Sequence, residues 1–166
     1  MSEQAVNDPI EFARGRKNLA GNIALARLKR VNDHLASADG GVRFTLTGYL
    51  NENGDPGLRC QVHGTLQLVC QRCLEPMNFA LEIDSSLLLV NDTHALAEDN
   101  DPETPDRIPV QRDMPVAALV EEEILLTLPM APHHPEDACK TRQAQSETGK
   151  LHPFAALARL KTDKER

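Results

Sequence analysis

The fold is decided by the stretch from Val62 to Pro76, which reads VHGTLQLVCQRCLEP. Apolar residues alternate with polar ones from Val62 to Leu68, the period-two pattern of a β-strand with one buried face. The strand then runs directly into a Cys-x-x-Cys turn whose thiols are Cys70 and Cys73. Two thiols on one tight turn suit a metal ion or a redox disulfide. The stretch therefore predicts a sheet that carries a reactive site at its end.

The same alternation continues on both sides of this stretch. Apolar and polar residues also alternate at residues 42–46, which precede a turn rich in Asn, Gly and Pro at 51–57. The alternation resumes at residues 79–89, after the Cys-x-x-Cys turn. A short extended piece at 108–110 is expected to join the edge of the sheet. Because short turns join the three main segments, we predict an antiparallel meander with one face toward water.

Three segments are predicted as helices. The first begins at Asp8, a capping residue, with Pro9 at its first position and Glu11 completing a capping box. The second covers residues 24–36, where apolar residues recur at helical spacing, and the third covers residues 116–128 between two prolines. The consecutive glutamates of the third helix do not share a face, which favours a solvated surface over an acid/base pair.

These elements predict an α+β fold: an antiparallel sheet of three to five strands, barrel-like if it curls, with helices on one side or end. We expect a single domain over residues 1–166, with its core at about 8–130. Residues 131–150 are predicted to be irregular, and residues 152–162 to form a short C-terminal helix. The acidic, proline-containing residues 91–106 bury little and predict a flexible loop.

Composition narrows the function classes. Apolar residues make up 40% of the chain and aromatics only 3%, so a platform that stacks the bases of single-stranded nucleic acid is disfavoured. The N-terminus is polar, and no apolar run approaches the ~20 residues of a membrane span. We therefore expect a cytoplasmic protein without membrane contact. No glycine-rich phosphate loop and no Ser/His/Asp arrangement stands out in the sequence.

Charge is distributed unevenly along the chain. The net charge is −7, but residues 1–43 balance to +2, residues 44–139 to −13 and residues 140–166 to +4. The acidic middle would repel phosphate, whereas the basic ends could contact it, unless their charges are only solvated. The candidate RNA contacts at the N-terminal end are Arg14, Arg16, Lys17 and Arg30.

Two further stretches point to a known family when they are taken with the strand and the Cys-x-x-Cys turn. One reads LVEEEILLTLPMAPHH from Leu119 to His134 and continues with EDAC at 136–139; the other is the tail HPFAALARLK at 152–161. In order, spacing and identity, the three blocks resemble the YceD family, the bacterial large ribosomal RNA subunit accumulation proteins, over most of residues 58–161. The first third of the chain resembles the family only in its general pattern of a capped helix, a Gly-containing extended piece and a second helix.

The resemblance implies a cytoplasmic, non-enzymatic ribosome biogenesis factor that supports the synthesis, processing or stability of large-subunit ribosomal RNA. Its partner would be that RNA or a pre-ribosomal particle. The family supplies no catalytic residue, and no small-molecule substrate is expected. Two other classes stay open from the residues alone: a Cys-x-x-Cys thiol oxidoreductase, and a protein–protein adaptor that never contacts RNA.

The four cysteines define the candidate cofactor site. In a reducing cytosol they are better interpreted as metal ligands or core residues than as disulfides, and Cys60 falls on the apolar strand face. Some relatives carry a richer cysteine cluster after the glutamate-rich helix; here a zinc site would need Cys70, Cys73, Cys139 and one histidine, assigned to His133. The alternatives are a turn shaped by its thiols without metal, and a redox pair, although no helix N-terminus follows to lower a thiol pKa.

The tail carries an apolar stripe in a chain that is poor in aromatics. Phe154, Leu157 and Leu160 recur at helical spacing on a segment too short to be a stable helix unless it docks. We expect this stripe to dock on a partner, with docking on this domain as the alternative.

Overall fold

β-Strands dominate the computed structural model, which describes residues 4–91, 105–135 and 138–139. The strands are β1 (Ala5–Val6), β2 (Asn18–Ala24), β3 (Leu35–Ser37), β4 (Gly41–Leu50), β5 (Pro56–Val69), β6 (Pro76–Val90), β7 (Asp106–Pro109) and β8 (Met114–Pro115). The helices are α1 (Pro9–Arg14), α2 (Lys29–Asn32) and α3 (Val116–Thr127), with a 3₁₀ turn at Leu25–Arg27. None of the helices in these ranges has the length and apolar character that a membrane crossing requires.

Six strands form the main sheet in the order β2-β4-β5-β6-β7, and β3 pairs with the far end of β5. All neighbours are antiparallel except β6 and β7, which are parallel. The predicted α+β class and antiparallel meander are confirmed, and the piece near residue 108 joins the sheet edge as expected. Over the described ranges β2 and β7 remain as edges, so the sheet is not closed into a barrel.

The alternating apolar residues of the meander form one face of the core. Phe44 lies opposite Val62, and Leu46 lies opposite Cys60, whose thiol is fully buried as predicted. Burying each such aliphatic side chain contributes roughly 1.5–3 kcal/mol. The buried side chains of β4, β5 and β6 are Val42, Phe44, Leu46, Leu58, Cys60, Val62, Leu66, Leu68, Leu81, Ile83, Leu87 and Leu89.

The opposite face of the meander is polar and charge-balanced. Arg59 donates through Nε and Nη2 to both carboxylate oxygens of Asp84, at 2.7 and 2.6 Å. This hydrogen bonding holds the pKa of the Asp84 carboxyl below its usual value. Arg43 lies in a cross-strand row with His63 and Glu82. Because cations and carboxylates are interspersed on this face, it presents no uniformly basic surface to phosphate.

Helix α1 begins as predicted but uses its first acidic residue differently. The Asp8 carboxylate accepts a hydrogen bond from the Glu11 backbone N–H at 2.9 Å, which is the expected cap. The Glu11 carboxylate does not complete the capping box; it accepts from the Lys17 ammonium, also at 2.9 Å. The helix lies directly on β4, since a Cβ placed on Gly48 would lie 2.5 Å from the Phe12 carbonyl oxygen.

The predicted helix at 24–36 is wrong in its extent. Leu25, Leu28 and Val31 all face the core, so the helical spacing is real, but it is shared between the 3₁₀ turn and the single turn of α2. Leu35 lies instead on β3, opposite Leu68. The long strand β5 extends beyond its pairing with β4, and its exposed edge draws the following residues into the sheet.

Helix α3 matches its predicted range closely, but its glutamates are not all solvated. Glu122 is exposed, whereas Glu123 is buried on the core face with Val120 and Ile124. The Glu121 carboxylate lies at the N-terminus of α2, a helix without a side-chain cap of its own. It accepts from the backbone N–H groups of Arg30 and Val31 at 2.7 and 3.4 Å. Glu121 therefore caps α2 from a distant part of the chain.

We predict that Glu121→Ala lowers the free energy of unfolding by about 1 kcal/mol, because it leaves two N–H groups of α2 without their acceptor. Urea denaturation followed by circular dichroism measures the change. Glu122→Ala is the matched control: its carboxylate binds the exposed Arg30 guanidinium, and exposed ion pairs contribute little. Equal losses for the two variants would contradict the capping role.

Candidate metal centre

The Cys-x-x-Cys turn connects the two longest strands of the sheet. β5 ends at Val69 and β6 begins at Pro76. Between them the Leu74 N–H donates to the Cys70 carbonyl at 2.9 Å, and the Cys70 N–H donates to the Glu75 carbonyl at 3.0 Å. These hydrogen bonds close the turn, in which Leu74 takes a left-handed φ of 63°. The Leu74 residue is 72% exposed.

The chain that follows α3 returns to this turn. The Gln71 N–H donates to the Pro132 carbonyl at 2.8 Å, and His134 Nε2 lies 3.2 Å from the Pro76 carbonyl. When Nε2 carries the proton and donates it to Pro76, Nδ1 is the nitrogen left with a lone pair. That nitrogen lies 3.4 Å from the Sγ of Cys73.

Four side chains therefore converge: Cys70, Cys73, His134 and Cys139, with all their ligand atoms within 4.8 Å of one another. The Sγ atoms of Cys70 and Cys139 are 3.9 Å apart. Two sulfurs bound tetrahedrally to one zinc at about 2.3 Å would lie about 3.8 Å apart. Three sulfurs and one imidazole nitrogen at this spacing can hold a tetrahedral metal ion.

The surroundings of the group favour the thiolate form of one cysteine. Burial opposes ionisation of the Cys70 thiol, but backbone N–H groups of Cys73, His134 and Arg72 outweigh it and lower its pKa to about 5. At Cys73 the backbone N–H of Glu75 lowers the pKa, but burial and the neighbouring sulfurs raise it above its usual value. Part of this increase in the Cys73 pKa is electrostatic repulsion from the neighbouring sulfur of Cys139. A divalent cation bound between the sulfurs would remove that repulsion.

The structure brings together three of the four predicted metal ligands and changes the fourth. Cys70, Cys73 and Cys139 are in the group, but the histidine is His134, while His133 is exposed and does not belong to it. The sequence offered no signal to choose between adjacent histidines. The hydrogen bond between Gln71 and Pro132 holds the segment against the turn, and the contact with the Pro76 carbonyl orients the His134 ring toward the sulfurs.

The predicted RNA contacts do not all have the same surroundings. Arg14 and Arg16 are exposed where α1 ends, and Lys17 beside them pairs with Glu11. Arg30 lies on α2, where its guanidinium pairs with the carboxylates of Glu121 and Glu122 on α3. The positive charge of Arg30 is therefore partly neutralised by the two carboxylates of α3.

Several predicted features lie outside the described residues. These are most of the acidic loop at 91–106, the helix at 152–162, and its stripe of Phe154, Leu157 and Leu160.

We predict that Leu74→Asn raises the free energy of unfolding by about 0.5–1 kcal/mol. A left-handed leucine is strained, asparagine tolerates this conformation, and little buried surface is lost. Gly54→Ala is the matched control, in which a left-handed residue that lacks a Cβ gains one, so the free energy of unfolding should fall. Gly54 has a φ of 85° with open space around it, so an added Cβ introduces only the backbone strain and should cost about 1 kcal/mol. Thermal melts measure both, and a destabilised Leu74→Asn would show that the side chain packs.

Comparisons with known proteins identify the family of this chain. A family model described as "Large ribosomal RNA subunit accumulation protein YceD" matches residues 58–161, a range that includes all four residues of the candidate metal centre. A curated relative of Haemophilus influenzae, the large ribosomal RNA subunit accumulation protein YceD, is 27% identical over 164 residues, which cover 93% of each chain. No solved structure matches the chain. Because the family model covers residues 58–161, well over half of the chain, the chain belongs to the YceD family.

Proposed function

We propose that this protein is a non-enzymatic ribosome biogenesis factor that supports accumulation of large-subunit ribosomal RNA, and that it binds one structural zinc ion. The observation that carries the proposal is the family match over residues 58–161, which covers most of β5, the strands β6 to β8, helix α3 and all four side chains of the candidate metal centre. The partner in this proposal is the large-subunit RNA or a pre-ribosomal particle that contains it.

Zinc is the metal that the donor set favours. Thiolates and imidazole select zinc over the oxygen-preferring magnesium and calcium ions. Four protein ligands fill a tetrahedral shell, so a site of this kind holds structure together and leaves no position for a substrate. That property favours a non-enzymatic role over thiol oxidoreductase chemistry. The metal would join the turn between β5 and β6 to the segment that follows α3.

The proposed RNA-facing surface is the exposed basic end of α1. Arg14 and Arg16 are exposed there, and both lie outside the acidic region at 44–139. Cations on an exposed surface bind phosphate by releasing counterions, a sequence-independent contact that suits a long folded RNA. An adaptor that binds a ribosomal protein instead of RNA is the alternative outcome of the test below.

For the metal, we predict about one zinc per chain after purification from zinc-containing medium without chelators. His134→Ala should reduce the zinc content strongly, because it removes one of four ligands. His133→Ala is the matched control and should retain the metal, since the neighbouring ring is outside the group. Elemental analysis of the dialysed proteins measures both. Full zinc content in the His134 variant would contradict the ligand assignment.

Thiol labelling gives an independent readout of the same site. The zinc-loaded native protein should react slowly with a thiol reagent at pH 7.5, and chelation should expose Cys70, Cys73 and Cys139. Cys60 should stay unlabelled until the protein unfolds, because burial, aided by the charges of Glu123 and Asp84, raises its pKa to about 12. Equal reactivity with and without chelator would count against a bound metal.

For the RNA, we predict that crosslinking in cells followed by sequencing recovers precursor large-subunit RNA. Replacing Arg14 and Arg16 by Gln should reduce the recovery and weaken the salt dependence of binding. Arg59→Gln is the control, because Arg59 is an exposed arginine committed to Asp84 on the polar sheet face. Recovery of ribosomal protein without RNA would favour the adaptor.

A further inference from the structure

We propose that Arg72 is a positioning residue of the metal centre: its backbone N–H and its guanidinium hold two of the thiolates through separate hydrogen bonds, and the guanidinium offsets the negative charge of the centre. This role rests on the proposed zinc site. Arg72 lies between Cys70 and Cys73 in the sequence, in the position that separates the two thiols of the turn. Its side chain is nevertheless directed at Cys139, which lies 67 positions later in the chain.

The geometry gives Arg72 contact with two sulfurs on two segments. Its guanidinium Nε donates to the Sγ of Cys139 at 3.3 Å, across 67 positions of sequence. Its backbone N–H donates to the Sγ of Cys70 at 3.4 Å. One residue therefore supplies a donor to the turn thiol and a charged donor to the thiol that closes the site.

Charge explains why the side chain should be an arginine. Three thiolates and a neutral imidazole around a divalent zinc leave a net charge of −1, and Cys139 is only 9% exposed. A negative centre that is partly withdrawn from water is costly unless a cation is close. The guanidinium supplies that cation and directs an N–H at the sulfur, which an ammonium without a planar fork does less well.

The same contacts should tune the metal as well as hold it. A hydrogen bond to a metal-bound thiolate withdraws electron density from the sulfur and fixes its orientation. Loss of such a partner beyond the ligands typically reduces metal affinity by 10–100-fold. The neighbouring Gln71 provides the contrast, because its side-chain amide donates to the Val69 carbonyl at 3.2 Å instead of to a sulfur.

The test compares zinc affinity in Arg72→Gln, Arg72→Lys and the matched control Gln71→Ala. Each full-length protein is stripped of metal under reducing conditions, and zinc is titrated at pH 7.5 against a chromophoric chelator. We expect Arg72→Gln to bind zinc about 10–100-fold more weakly and Arg72→Lys to be intermediate. Gln71→Ala should match the wild type, because it keeps the backbone N–H that donates to Pro132 and loses only the side-chain contact with Val69.

Cobalt(II) substitution separates a direct contact from general destabilisation. If Arg72 donates to a metal-bound sulfur, the thiolate-to-cobalt charge-transfer bands of Arg72→Gln should move to lower energy, while the tetrahedral ligand-field bands stay in place. Unchanged affinity and spectrum in Arg72→Gln would overturn the role of Arg72 and leave the zinc site standing. Failure of the wild-type protein to bind zinc or cobalt would overturn the metal centre, and the role of Arg72 with it.

Discussion

The antiparallel pairing of β5 with β6 is the constraint on which the rest of the structure depends. The two strands pair without a break from Gly57 opposite Leu88 to Val69 opposite Pro76. Because side chains alternate faces, a slip of one residue would turn the apolar side chains of one strand to water. The same register places Cys70 and Pro76 on opposite sides of the connecting turn, and so determines where a thiol and the carbonyl that orients His134 stand. Core and candidate metal centre therefore share one register.

Helix α3 connects the cap of helix α2 with the Cys-x-x-Cys turn. Its buried face, with Val120 and Ile124, packs in the core, and Glu121 on its side caps the short helix α2. The chain that leaves its C-terminus reaches Pro132, which binds the Cys-x-x-Cys turn through Gln71. One helix thus places both a carboxylate that a distant helix needs and a segment that supplies two of the four proposed ligands.

A structural metal suits a chain with this composition. Aromatics make up only 3% of the residues, and the end of the sheet near the turn includes the exposed Leu74. A bound ion contributes stability where apolar burial is limited, because the ligand set exists only in the folded state. In the proposed function, the metal holds the family-specific part of the chain together. The proposed role of Arg72 is to offset the net charge of −1 that three thiolates leave around a zinc ion, while the proposed RNA contact lies at the basic end of α1.

The sequence by itself determined the local features, because each of them depends on residues close together in the chain. Period-two alternation predicts the meander, the prolines bound α3, Asp8 caps α1, and the Cys-x-x-Cys spacing predicts a site at the end of a strand. Contacts between distant segments were decided only by the tertiary structure. The edge of β5 converts Leu35 from a helix into a strand, and α2 needs Glu121 as its cap from 90 residues away. His134 rather than His133 joins the cysteines, because its ring contacts the Pro76 carbonyl across the turn, in a segment that Gln71 holds through Pro132. Periodicity and spacing report which face a residue occupies within its own element, but not which distant group that face will meet.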